Sequence, residues 1–166
     1  LSDTGPAARP IRRWWLVLAV AVVVIAIDQV TKSLALAHLS TAAQHVIGPF
    51  GFQLTYNSGS AFSLFQGTTG LLVVFDVVLI AGLCWLGMRA TGLLMQIGIG
   101  LILGGALGNL ADRAVRHHRG GVIDFITLSH WPTFNAADGA ITIGAIVLGI
   151  GLLRDSSGSE PETEAT

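Results

Sequence analysis

Four apolar stretches dominate the chain, at about residues 14–37, 71–88, 93–112 and 135–153. A helix needs about 20 apolar residues to cross a bilayer, so the pattern predicts four transmembrane helices. The connection between the first two has a different rhythm. There Phe52, Leu54 and Tyr56 alternate with Gln53, Thr55 and Asn57. A period of two predicts a short strand, and residues 45–47 are placed to pair with it across the Gly48-Pro49 turn. A plain loop is the alternative. The expected architecture is an all-α membrane protein, a four-transmembrane-helix bundle over residues 14–153. It carries a small extracytoplasmic β-sheet at about residues 41–65. A cleaved signal peptide is the less favoured reading of the first stretch, because its apolar run exceeds the roughly 7–15 residues of a signal core.

Charge gives this pattern a direction. Arg9, Arg12 and Arg13 precede the first span, Arg89 lies in the short second connection and Arg154 follows the fourth. The first connection holds no Lys or Arg. By the positive-inside rule, the flank 1–13, the second connection and the tail 154–166 are cytoplasmic, and the tail reads as disordered. Arg113, Arg116 and Arg119 run against the rule and need another reason to be where they are. Composition agrees with a membrane protein: hydrophobic residues make up 52% and charged residues 11%, against about 25% charged in soluble domains. That excludes a disordered chain and argues against a soluble globule. A net charge of -1 gives no sign of a nucleic-acid partner. The single cysteine, Cys84, excludes an internal disulfide and is expected to be an inert packing group.

The acids are unevenly placed. All three glutamates are in the tail, while Asp28, Asp76, Asp112, Asp124 and Asp138 lie in or beside apolar segments. Carboxylates at membrane depth are expensive and usually mark function or a polar interior. With a rise of about 1.5 Å per residue, all five map to the outer third of the membrane or its surface, which points to one shared polar site. Simpler readings exist for most of them. Asp28 and Lys32 are spaced for an intrahelical pair, and Asp76 is within reach of the outer interface. Asp112 and Arg113 could form a helix-end ion pair. Asp138, after Asn135, suits a helix N-terminus. Asp124 has no such reading, because it sits bare in Val122-Ile123-Asp124-Phe125-Ile126. In the third span Gly100, Gly104 and Gly108 form a smooth stripe that lets another helix approach, and the stripe ends in Asn109, Asp112 and Arg113.

Few chemistries fit these residues. There is no G-x-S-x-G elbow, no H-E-x-x-H beside His117 and His118, and no phosphate loop. Paired carboxylates remain. Two close carboxyl groups share one proton, so one accepts a proton from water while the other donates to a carbonyl. The pair requires no metal and no cofactor. The spacing leaves Asp112, Asp124 and Asp138 all open as members.

The ordered motifs resemble those of the bacterial lipoprotein signal peptidase family (signal peptidase II). They are Asp28-Gln29-Val30-Thr31-Lys32, Asn57-Ser58-Gly59-Ser60-Ala61-Phe62, Gly108-Asn109-Leu110-Ala111-Asp112-Arg113, Val122-Ile123-Asp124-Phe125 and Phe134-Asn135-Ala136-Ala137-Asp138. The resemblance implies an intramembrane aspartyl endopeptidase of the bacterial inner membrane. Its substrates would be diacylglyceryl-modified prolipoproteins, cut N-terminal to the lipidated cysteine. Asp124 and Asp138 would be catalytic. Asn57, Gly59, Asn109, Asp112, Arg113 and Asn135 would bind substrate or hold the dyad, with Asp28 and Lys32 as support. Membrane lipids would surround a small site made from a single chain, so a monomer suffices. Ser60 stands where many members carry Ala, Asp76 matches no motif, and the short 125–137 stretch leaves little room for a surface helix. A small proton- or ion-coupled transporter is the alternative function, and a non-catalytic scaffold a third. The transporter requires acids along a path, whereas these cluster at one depth.

Overall fold

The computed structural model describes residues 14–57, 69–115 and 121–157. Expectations for the flank 1–13, Gly59 and its 58–62 motif, Arg116, His117, His118, Arg119 and residues 158–166 lie outside the described residues. Four long helices are present: α1 (Trp14–His38), α2 (Thr69–Arg89), α3 (Leu93–Val115) and α4 (Ala136–Ser157). Each is long and apolar enough to cross a membrane, as the apolar pattern predicts. The fourth extends past the expected limit, so Arg154 and Asp155 are helical.

The third helix is the centre of the bundle, packed against α4, α1 and α2. Its glycines are divided between two neighbours. A Cβ at Gly104 would stand 2.7 Å from Val24 Cβ and 2.8 Å from the Ala21 carbonyl oxygen. One at Gly105 would stand 2.5 Å from the Ala137 carbonyl oxygen. Glycine here lets α1 and α4 lie on opposite sides of α3 at backbone contact, where lipid supplies no hydrophobic drive and close packing must hold the helices. Val17, Ala21, Leu83, Ile99, Ile102 and Leu103 fill the remaining core. The outward faces stay apolar, with Val22, Val30, Phe75, Val78, Ile143 and Ile146 exposed. Cys84 is exposed as well. Its expected packing role is corrected, because α2 covers α3 with only one side and Cys84 lies off that side.

A four-stranded antiparallel sheet lies at one end of the bundle, in the order β1 (Gln44–Ile47), β2 (Phe50–Asn57), β3 (Val122–Leu128) and β4 (Trp131–Phe134). The expected β1–β2 hairpin is present, and Gly48 takes a positive φ of 54° in its turn. The other two strands were not expected from the alternation. In β3, Val122, Ile123, Asp124 and Phe125 are all buried, so both faces are covered and no alternation shows. Thr55 pairs with Asp124 and Asn57 with Val122, which joins the two connections into one surface above the helices.

Gly104→Val should lower stability by about 2 kcal/mol or more through overpacking against α1. Gly82→Ala, whose Cβ would meet nothing within 4 Å, should be neutral or stabilising. Thermal unfolding of the two variants in detergent checks the contrast.

Candidate active site

The sheet end of the bundle gathers the buried polar groups. Asp28, Lys32, Asp112, Asp124 and Asn135 are all fully buried. Lys32 is at their centre. Its Nζ lies 2.8 Å from Asp28 Oδ2, 2.8 Å from Asp112 Oδ2 and 3.0 Å from Asn109 Oδ1. An ammonium has three donors, and each is used. The Asp28–Lys32 pair expected from spacing is therefore present, and it is extended to α3. Asp28 Oδ1 accepts the Ala137 N–H at the start of α4, at 3.1 Å. Asp112 Oδ2 accepts the Ile123 N–H of β3, at 3.2 Å. Gln29, given no role from the sequence, has Nε2 within 3.1 Å of Asp28 Oδ2 and 3.2 Å of Asp112 Oδ1. Its signal was available: it adjoins Asp28 in an apolar span, where an amide needs partners.

The other two carboxylates lie beside this cluster. Asp124 Oδ1 accepts from Asn135 Nδ2 at 2.7 Å, and Oδ2 accepts from Asn57 Nδ2 at 3.0 Å. Asp138 Oδ1 accepts from Asn109 Nδ2 at 2.9 Å, and Oδ2 accepts the Asn135 backbone N–H at 3.1 Å. Asn135 Oδ1 in turn accepts the Asp138 N–H at 3.0 Å. This reciprocal pair is a capping box, so Asn135 starts α4 and binds Asp124 at the same time. Asp138 thus has the helix-start contact expected of it and also belongs to the polar cluster. Asn109 is shared: its Oδ1 faces Lys32 and its Nδ2 faces Asp138.

Two simpler readings are corrected. Asp112 pairs with Lys32, and Arg113 pairs with Asp76 across helices, Nη1 to Oδ2 at 2.7 Å. Asp112 and Arg113 therefore form no ion pair with each other, because successive helical residues point about 100° apart. Asp76 faces α3 and is largely buried, instead of reaching out to the interface. Among the described residues no group of three or more His, Cys, Asp or Glu side chains is arranged to hold a metal ion.

Burial pushes the Asp124 carboxyl up to about 6, and the negative charge of Asp138 adds to that rise. Asn57, Asn135 and Lys32 oppose it. The folded value lies above the ordinary 3.8, so the folded state favours the protonated form. Its contribution to stability is complete below pH 3.8 and is lost as pH rises through about 6. The amount is about 3 kcal/mol. Asp124→Asn should flatten this part of a stability-versus-pH curve measured by thermal unfolding. Lys32→Met leaves two buried carboxylates without their cation and should cost about 3–5 kcal/mol, read as a lowered unfolding midpoint at neutral pH.

A family model described as signal peptidase (SPase) II matches residues 20–154. The lipoprotein signal peptidase of Mycobacterium avium is 42% identical over 152 residues, covering 89% of this chain and 84% of that protein. That of Pseudomonas aeruginosa is 40% identical over 157 residues, covering 86% of this chain and 90% of that one. A bacterial membrane enzyme solved by the in meso method at 2.3 Å resolution superposes with a TM-score of 0.76 at 30% identity, covering 90% of this chain and 94% of that one. With a family match spanning most of its length, and with four apolar helices, this multi-pass membrane protein belongs to the signal peptidase II family.

Proposed function

We propose that the protein is an aspartyl endopeptidase that removes the signal peptide from diacylglyceryl-modified prolipoproteins, with Asp124 and Asp138 as its catalytic pair. The observation that carries this reading is the double use of Asn135. Its side chain holds Asp124 and its backbone N–H holds Asp138, which brings a strand carboxylate and a helix-start carboxylate to one point. Nothing favours a transporter: the halves of the helices away from the sheet contain no Asp, Glu, Lys or Arg until their ends, so no relay continues across.

The two acids differ in setting, and the difference assigns their roles. Asp138 is partly exposed and sits in the first turn of α4, where the helix dipole favours a negative charge. Asp124 is fully buried and its carboxyl is raised. Asp138 takes a proton from the attacking water. Asp124 is the protonated member and donates to the scissile carbonyl oxygen. The water oxygen bonds to the carbonyl carbon. As the resulting diol collapses, the C–N bond breaks and the proton passes to the leaving nitrogen of the lipidated cysteine. Asn109, Asn135 and Asn57 hold the carboxyls, while Asp28, Lys32 and Asp112 hold the frame. Gly59 is carried by its motif alone. A cavity of about 280 Å3 beside Asp138, lined by Leu128, Trp131, Phe134, Thr142 and Ile143, is apolar and suits part of a lipidated peptide.

The remaining reading is topological. The sheet end faces the outer leaflet of the bacterial inner membrane, and both termini are cytoplasmic, together with Arg89 and Arg154 at the opposite end. The functional unit is residues 14–153, acting as a monomer among membrane lipids and without a cofactor.

Cleavage of a diacylglyceryl-modified prolipoprotein by the detergent-purified protein tests the proposal. Asp124→Asn and Asp138→Asn should each reduce kcat by a factor of about 1000 or more while both variants stay folded. Wild-type kcat/KM should fall as pH rises through about 6, because the protonated Asp124 is used up. Full activity in either variant rejects the pair.

A further inference from the structure

Asp76 is a charged residue near the sheet end that neither the dyad nor its supporting cluster uses. It lies in the second turn of α2, and the rest of that helix contains no Asp, Glu, Lys or Arg before Arg89. An ionised side chain in such a segment needs a partner, and Arg113 supplies it at 2.7 Å, with both side chains only 13% exposed. Arg113 stands one helical turn beyond Asn109 on α3, a spacing that places both on the same face. Asn109 donates to Asp138, so that face leads directly to the dyad.

The guanidinium is not fully used by this pair. One Nη1 donor meets Asp76, while Arg113 Nε is closed to solvent and has no hydrogen-bond partner. Leaving a buried donor unsatisfied costs free energy, and most such groups in native structures are matched by something. On the reading of the protein as a peptidase, the guanidinium, which keeps a partly exposed edge, has donors left over for a main-chain carbonyl of the extended substrate. Asp76 then has a defined task. It balances the charge of Arg113 in a low-dielectric setting and restrains the rotation of the guanidinium, so that the other donors are presented in one direction before substrate arrives.

We propose that Asp76 is a positioning residue, which holds Arg113 so that the guanidinium binds a substrate peptide carbonyl beside the dyad. The proposal rests on the peptidase reading and goes further by bringing α2 into substrate binding. It also accounts for an arginine at the sheet end that the positive-inside pattern left unexplained.

Steady-state cleavage of a lipidated prolipoprotein by the full chain in detergent separates the possibilities. Asp76→Asn should raise KM roughly tenfold with little change in kcat. Arg113→Ala should raise KM at least as much. Adding Asp76→Asn to Arg113→Ala should have no further effect, because the two act through one contact. Asp76→Glu, which keeps the carboxylate, should recover most of the loss. A merely structural role gives a different result: a lowered unfolding midpoint, an unchanged KM, and additive effects in the double variant. Any of the last two overturns the proposal. If Asp76→Asn does not fold, Arg113→Lys serves instead. It keeps the charge but not the planar set of donors, so KM should rise, and an unchanged KM overturns the proposal. Failure of the peptidase reading is distinguishable, since the wild type would then leave the substrate uncut.

Discussion

A buried ammonium between two buried carboxylates organises this molecule. Lys32 and its partners Asp28 and Asp112 join four separate pieces of chain: α1 supplies Asp28 and Lys32, α3 supplies Asp112, α4 is held through the Ala137 N–H, and β3 through the Ile123 N–H. Removing such charges from water costs several kcal/mol per ion, and the attraction compensates only where geometry and hydrogen bonding are complete. Here all three Nζ donors are matched, and Gln29 bonds both carboxylates. Apolar contact alone would leave the helices free to slide against one another. Directional bonds at this end specify one arrangement of helices and sheet.

The proposed dyad takes its geometry from that arrangement. Asn109 accepts from Lys32 and donates to Asp138, so the cation determines which end of the amide faces that carboxylate. Asn135 is oriented by α4, which it caps, and offers its side-chain amide to Asp124. A chain of amides therefore separates the Asp28–Lys32–Asp112 cluster from Asp124 and Asp138. The positive charge is near enough to favour ionisation of Asp124 but does not outweigh burial, and the carboxyl stays raised. A direct salt bridge to either member of the proposed dyad would remove the asymmetry that acid–base work requires.

Much of this was legible before any coordinates. Hydropathy gives the four spans because lipid-facing sides carry apolar residues whatever lies behind them. The glycine stripe reports a backbone contact directly, and the spacing of Asp28 and Lys32 is a local property of one helix. What could not be read depends on tertiary neighbours. Strand β3 has no alternation because sheet and bundle bury both its faces. The partners of Asp112 and Arg113 are on other helices, so adjacency in sequence suggested a pair that helix geometry forbids. Asp76 looked like an interfacial acid because its partner is 37 residues away. The placement of Asp124 as the least ordinary acid in the chain came from its apolar flanks, the same flanks that bury it.

Asn135 caps α4 and also donates to Asp124, so one residue joins the start of a helix to the proposed dyad. The first turn of a helix frays more readily than its middle, since its N–H groups lack intrahelical partners. Any fraying at the start of α4 withdraws the amide from Asp124 and the backbone donor from Asp138 together. The contacts of both carboxyls thus stand or fall with this one turn, and the bonds that tie it down, Asp28 to the Ala137 N–H and Asn135 to the Asp138 N–H, guard the proposed dyad as much as the helix.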